Sequence, residues 1–196
     1  MTAPTVAARA AIGVVFALAA ISKTSHPART EFRTAVTGLV PRARGTSAAL
    51  LAAAVIATEW VIVVLLALPN RVTTVAGFGL AAITLAAFTT AIAAAIRRGT
   101  TTPCRCFGTS TRPVSRIQLA RNIILLAVTA TGVTTTLLAI ALSTGRSTIP
   151  IVGLCIAAGT GALIGAVLTV FEDLADLFTT PTPPSAAATT RRSALP

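Results

Sequence analysis

The sequence predicts an all-α, polytopic membrane helix bundle with four core transmembrane helices plus a fifth. Three observations predict it. The 196 residues are 54% hydrophobic and 11% charged, with a mean hydropathy of +0.84, more apolar than an ordinary soluble domain can hide. The apolar residues come in runs near the ~20 needed to cross about 30 Å of hydrocarbon. Finally, the charges fall between these runs. Sixteen Lys and Arg against five Asp and Glu give a formal net charge of +11. Their placement, with only 4% aromatic residues, reads as topology signals and anionic-lipid contacts rather than nucleic-acid binding. One His, no Tyr and three Cys are too few for a haem or a four-ligand metal site, so no metal is expected.

The transmembrane domain is expected over residues 1–178, followed by a disordered Thr/Pro/Ser/Ala tail over 179–196. The first span covers about 5–22. It is read as a membrane helix rather than a signal peptide because more membrane helix, not a soluble domain, follows it. Residues 23–46 mix Lys23, His26, Arg29, Glu31 and Arg33 with Phe32, Val36, Leu39 and Val40 at helical spacing. That is the pattern of an interfacial or partly re-entrant segment ending at Pro41. The second span, about 47–68, is closed by Pro69-Asn70, which leaves almost no loop before the third, about 72–96, so the two form an antiparallel hairpin.

Arg97-Arg98-Gly99 ends the third span, and a polar loop runs to Arg116. Ser115 to Gln118 has the spacing of a capping box opening the fourth span, about 118–143. The fifth span, about 149–171, carries Ala157, Gly161 and Gly165 at every fourth position, a spacing that lets helix backbones approach closely. Glu172 to Phe178 extend it as a short amphipathic turn. Five basic residues in the first loop and five in the third place both on one side. The positive-inside rule makes that side, and the tail, cytoplasmic in a multi-pass cell-membrane protein.

Cys104 and Cys106 carry the most explicit chemistry. A thiol pair separated by one residue can cycle between dithiol and disulfide. A disulfide closing so short a ring is strained, which suits it to donating oxidising equivalents rather than to stapling a fold. Arg98, Arg105 and Arg112 add positive potential that favours the reactive thiolate. Two unreactive thiols, or a soft-metal pair completed from elsewhere, are the alternatives. Cys155, at the start of the fifth span, reads as a small buried packing thiol beyond reach of the pair. Glu59, beside Trp60 in the middle of the second apolar run, must be protonated or paired, and an acid at that depth is a functional candidate. Lys23, Arg121 and Asn122 lie towards the same side as the loops. A Glu59–Arg121 pair needs long side chains to close a gap in depth of roughly 13 Å, and snorkelling of Arg121 to the interface is the alternative.

The string Cys104-Arg105-Cys106-Phe107-Gly108, followed by a helix opening with Arg121-Asn122, resembles the methylamine utilisation protein MauE family, a branch of the DoxX-like membrane proteins. Phe16, Lys23, Pro41 and Glu59 look like that family's layout, and the resemblance covers about residues 9–142. Arg105 stands where the family commonly has glycine, which makes a tight turn between the cysteines less easy. The resemblance implies a core of four helices and a role in maturing an exported, disulfide-rich partner, in the namesake system the small subunit of methylamine dehydrogenase.

The first functional expectation is therefore a thiol-redox or maturation factor. As an enzyme it is a membrane thiol-disulfide oxidoreductase exchanging electrons with a thioredoxin-like protein or with quinone. Phe107, Gly108, Glu59, Arg121, Asn122 and Lys23 then support the Cys104–Cys106 pair. A cytoplasmic loop fits export of disulfides badly, because that compartment is reducing. Either the charge rule fails, or electrons enter from inside, or the pair is not redox-active. The alternatives are a non-enzymatic membrane assembly or transport component and a quinone-linked oxidase subunit.

Overall fold

The computed structural model describes residues 2–40, 43–99, 116–142 and 150–178, with 171–178 described by their backbone alone. The described residues form six helices and no strand: α1 (Ala3–Ile21), α2 (His26–Leu39), α3 (Thr46–Ala67), α4 (Arg71–Arg97), α5 (Arg116–Ala141) and α6 (Ile151–Phe178). All but α2 contain a stretch long and apolar enough to cross a membrane. Their outward faces carry Leu50, Val64, Val72, Ile83, Leu138 and Ile156, among others. Exposed to water these would be a heavy liability; exposed to lipid they are the ordinary surface of a polytopic bundle.

Local sequence sets the helix ends. Pro4 occupies the first turn of α1, where its missing N–H costs nothing. Ser25 caps α2 by accepting from the Ala28 N–H, and α2 stops at Val40, ahead of Pro41. Phe32, Ala35, Val36 and Leu39 form its buried stripe, as the helical spacing of its apolar residues leads one to expect. The α3–α4 turn is as short as Pro69-Asn70 predicts, and Asn70 caps α4 by accepting from the Val72 N–H at 2.9 Å. At the far end of α4, Gly99 takes φ +65° and its N–H bonds to the Ile96 carbonyl, a left-handed terminator suited to glycine.

Contacts between helices fix their directions. Arg9 at the start of α1 donates to the Leu66 and Leu68 carbonyls, tying it to the C-terminal end of α3. Gly77 of α4 lies against Leu66, the Phe78 ring lies on Gly132 of α5, and Thr5 donates to Thr135 at 3.0 Å. These pairings make α1/α3, α3/α4, α4/α5 and α1/α5 antiparallel. Gly161 meets Ala7 and Gly165 meets Ala11, numbers rising together, so α6 runs parallel to α1. A Cβ at Gly165 would lie 2.5 Å from the Ala11 carbonyl oxygen, and one at Gly161 closer still to that of Ala7. The Ala157–Gly161–Gly165 spacing therefore does what it predicts, bringing two backbones together.

The same packing corrects the expectation for Cys155, which is exposed. Two residues from Ala157, it points away from the α1 interface. α6 packs chiefly on α1, and no described element covers that side.

The core joins Ile12, Val15 and Phe16 of α1 to Ile62 and Leu66 of α3, Phe78, Leu85 and Ile92 of α4, and Leu125 of α5. A smaller cluster, Phe32 and Val36 against Ala48 and Ala52, holds α2 on α3. Arg98 donates to the Leu39 carbonyl at 2.8 Å, so the C-terminal end of α4 is pinned to the C-terminal end of α2.

Candidate functional site

Lys23 lies just past the end of α1, yet its side chain is only 3% exposed, and that of its partner Glu59 is 0% exposed. Nζ donates to both carboxylate oxygens of Glu59, at 2.9 and 3.1 Å, and to the Ala19 carbonyl at 2.9 Å. It also sits 5.1 Å from the centroid of the Phe32 ring, within cation–π range. One ammonium group thus joins α1, α2 and α3. Its three protons have at least three acceptors, the condition under which an ion pair can be held away from water.

Glu59 therefore pairs with Lys23 rather than with Arg121, the partner weighed from the sequence. Helix direction explains it. Side chains lean towards the N-terminus of their own helix. Lys23, at the C-terminal end of α1, leans into the bundle and folds back one turn to Ala19. Glu59 leans towards the start of α3, up to meet it. Arg121, in the second turn of antiparallel α5, leans towards its own N-terminus and away from the depth of Glu59.

Arg121 does not reach out to the surface either: it is 5% exposed. It lies on the inward stripe of α5 with Gln118, Asn122, Leu125 and Thr129, all buried. Asn122 is fully buried, and neither its Oδ1 nor its Nδ2 has a hydrogen-bond partner among the described residues. An amide left in that state costs about 1–3 kcal/mol, so its presence here is not accounted for by stability. The Phe78–Gly132 and Gly77–Leu66 contacts set the register: Asn122 is level with Phe88 on α4, and Glu59 with Thr84. About one helical turn, roughly 5 Å, separates the two depths.

Of the expected site residues, the structure places Lys23 with Glu59 as a bonded pair and Arg121 with Asn122 as neighbours at the same end of the bundle. Cys104, Cys106, Phe107 and Gly108 lie outside the described residues, as does Ser115 of the expected capping box. The segment that carries the cysteines leaves the described structure after Gly99 and re-enters at Arg116, both at this end. Sequence reading missed two participants. Phe32 passed for an ordinary member of an apolar stripe. Gln118 passed for a capping residue, although its spacing to Arg121 and Asn122 already put the three on one helix face.

Helices that present apolar faces outward while enclosing a buried ion pair and a cluster of polar side chains at one end define a multi-pass integral membrane protein with a polar intramembrane site. The sequence profile of one family, Methylamine utilisation protein MauE, matches residues 1–135. The chain belongs to the MauE family. No curated protein matches it. No solved structure matches it.

Proposed function

We propose that the chain is a membrane thiol-disulfide exchange or maturation factor, in which Cys104 and Cys106 are the redox pair and Lys23, Glu59, Arg121 and Asn122 are its supporting polar residues. The observation that carries this reading is the collection of buried polar side chains at the end of the bundle where the cysteine segment enters and leaves. In the exchange, a thiolate of the pair attacks a disulfide sulfur of a partner protein and releases one partner thiolate. The second thiolate of the pair then resolves the mixed disulfide. Two electrons pass to the partner, which leaves as a dithiol, while Cys104–Cys106 is oxidised. The reverse exchange oxidises the partner. That reverse exchange leaves Cys104 and Cys106 as dithiols, and a quinone accepting their two electrons and two protons is the cofactor class that would restore the disulfide; a thioredoxin-like or exported disulfide-rich protein is the fitting partner. Phe107 and Gly108 are assigned with them as supporting residues of the same sequence motif.

Replacing Cys104 and Cys106 together by Ser tests the reading: maturation of the partner should stop while the bundle remains folded. Unchanged function would leave an assembly role instead. The buried Lys23–Glu59 pair favours that second reading, since it holds three helices together without any thiol. Labelling the pair with a membrane-impermeant maleimide in intact cells, before and after reduction, reads its redox state and its side. Labelling only after lysis supports the cytoplasmic orientation that the charge distribution suggests.

A further inference from the structure

We propose that the α2–α3 groove is a binding site for one anionic phospholipid, its phosphate held by Arg29 and Arg33 and an acyl chain laid along α3. Two cavities meet there. One, of about 310 Å³, is lined by Arg29 and Arg33 above Ala49, Ala53, Ile56 and Ala57. The other, of about 290 Å³, is lined by Thr30, Arg33, Thr34, Thr37, Gly45 and Ala48. Arg33 belongs to both, so a cationic side chain stands between an alanine-walled trough and a threonine-walled one. Among the described residues, no acidic side chain lines either cavity. Glu31, two residues from each arginine, projects from the other side of α2.

Depth agrees with this assignment. Counting about twenty residues up α4 from Arg71 spans the ~30 Å of hydrocarbon and ends near Thr90. The Gly77–Leu66 register places that level near Ala53 on α3. Arg29 and Arg33 therefore stand at headgroup height, and Ile56 and Ala57 lie below it among the acyl chains. The alanines of α3 leave a shallow channel that a hydrocarbon chain fills, whereas larger side chains would close it. Thr34 and Thr37 donate to backbone carbonyls at 3.1 and 2.7 Å, so their oxygens remain acceptors for the hydroxyls of a headgroup such as glycerol. Guanidinium groups hold phosphate by paired N–H donors.

Trp60, the single tryptophan, is half-exposed one turn below Ile56 on the same face and supplies the measurement. The protein is placed in phosphatidylcholine vesicles containing a minor fraction of phosphatidylglycerol or phosphatidylcholine with brominated acyl chains, and quenching of Trp60 is compared. Brominated phosphatidylglycerol should quench as though enriched roughly three- to tenfold over its mole fraction, while brominated phosphatidylcholine should track its own. Arg29→Gln with Arg33→Gln should abolish the preference, and Arg29→Lys with Arg33→Lys should retain part of it. Ala53→Leu, which fills the trough without touching the charges, should weaken it. Equal quenching by the two lipids, or a preference that survives the double glutamine variant, overturns the site. Displacement of the brominated lipid by millimolar inorganic phosphate also overturns it, because the ligand would then be a free anion.

Discussion

Removing either member of the Lys23–Glu59 pair strands the other in a place without water. Lys23→Met or Glu59→Leu alone should each cost about 3–5 kcal/mol, and the double variant far less than the two together. Unfolding of the purified protein in detergent checks this, and simple additivity would show that the two side chains do not act as a pair. Asn122 makes the opposite prediction. An unsatisfied buried amide replaced by Leu should leave stability unchanged or raise it by about 1–3 kcal/mol while lowering activity. A clear loss of stability would mean that the amide is already satisfied. The sequence shows Glu59 as an acid in an apolar run and Lys23 at a helix end, which identifies both as unusual. It does not show that they meet, because the pairing depends on which way each side chain leans. That follows only once the directions of α1, α3 and α5 are known.

The helices themselves were largely legible, since length, hydropathy and the Pro-Asn and Arg-Arg-Gly punctuation are local properties. Their packing was legible only where small residues recur. Ala157, Gly161 and Gly165 announce a close interface, yet nothing in the pattern names α1 as the partner; Gly132 announces nothing, although the Phe78 ring lies against it. Gly165→Leu should push α6 off α1, and Gly132→Leu should force Phe78 out of the core. Each should lower the melting temperature, with a cost of about 1–3 kcal/mol where the neighbour yields and more where it is backbone, as at Gly165. Gly13→Ala, which meets no neighbour, is the control and should leave the transition unmoved or slightly raised. An interface variant that melts like the control would show that its helix pair is looser than described. Cys155 failed as a packing residue for the same reason in reverse: a small apolar side chain in an apolar run says nothing about which side of the helix finds a partner.

At the scale of the whole molecule, five crossings put the start of α1 and the α3–α4 turn at one end, and α2 with Gly99 and Arg116 at the other. Cysteines introduced at Ser25 and Gly99 in a background lacking the natural thiols should react from one side of the membrane, and a cysteine at Asn70 from the other. Reaction of all three from one side would break the antiparallel order. The relative sides follow from the helix contacts, whereas the charge distribution alone chose the absolute one. The Lys23–Glu59 pair also bears on how the chain is made. Lys23 leaves the ribosome 36 residues before Glu59, so α1 reaches the membrane before the carboxylate that its ammonium group meets in the folded bundle. Each charge is costly in lipid alone, and the cost falls when they enter side by side. Membrane insertion of α1 and α3 is therefore expected to be coupled, and a charge removed from one helix should be felt first as a defect in integrating the other.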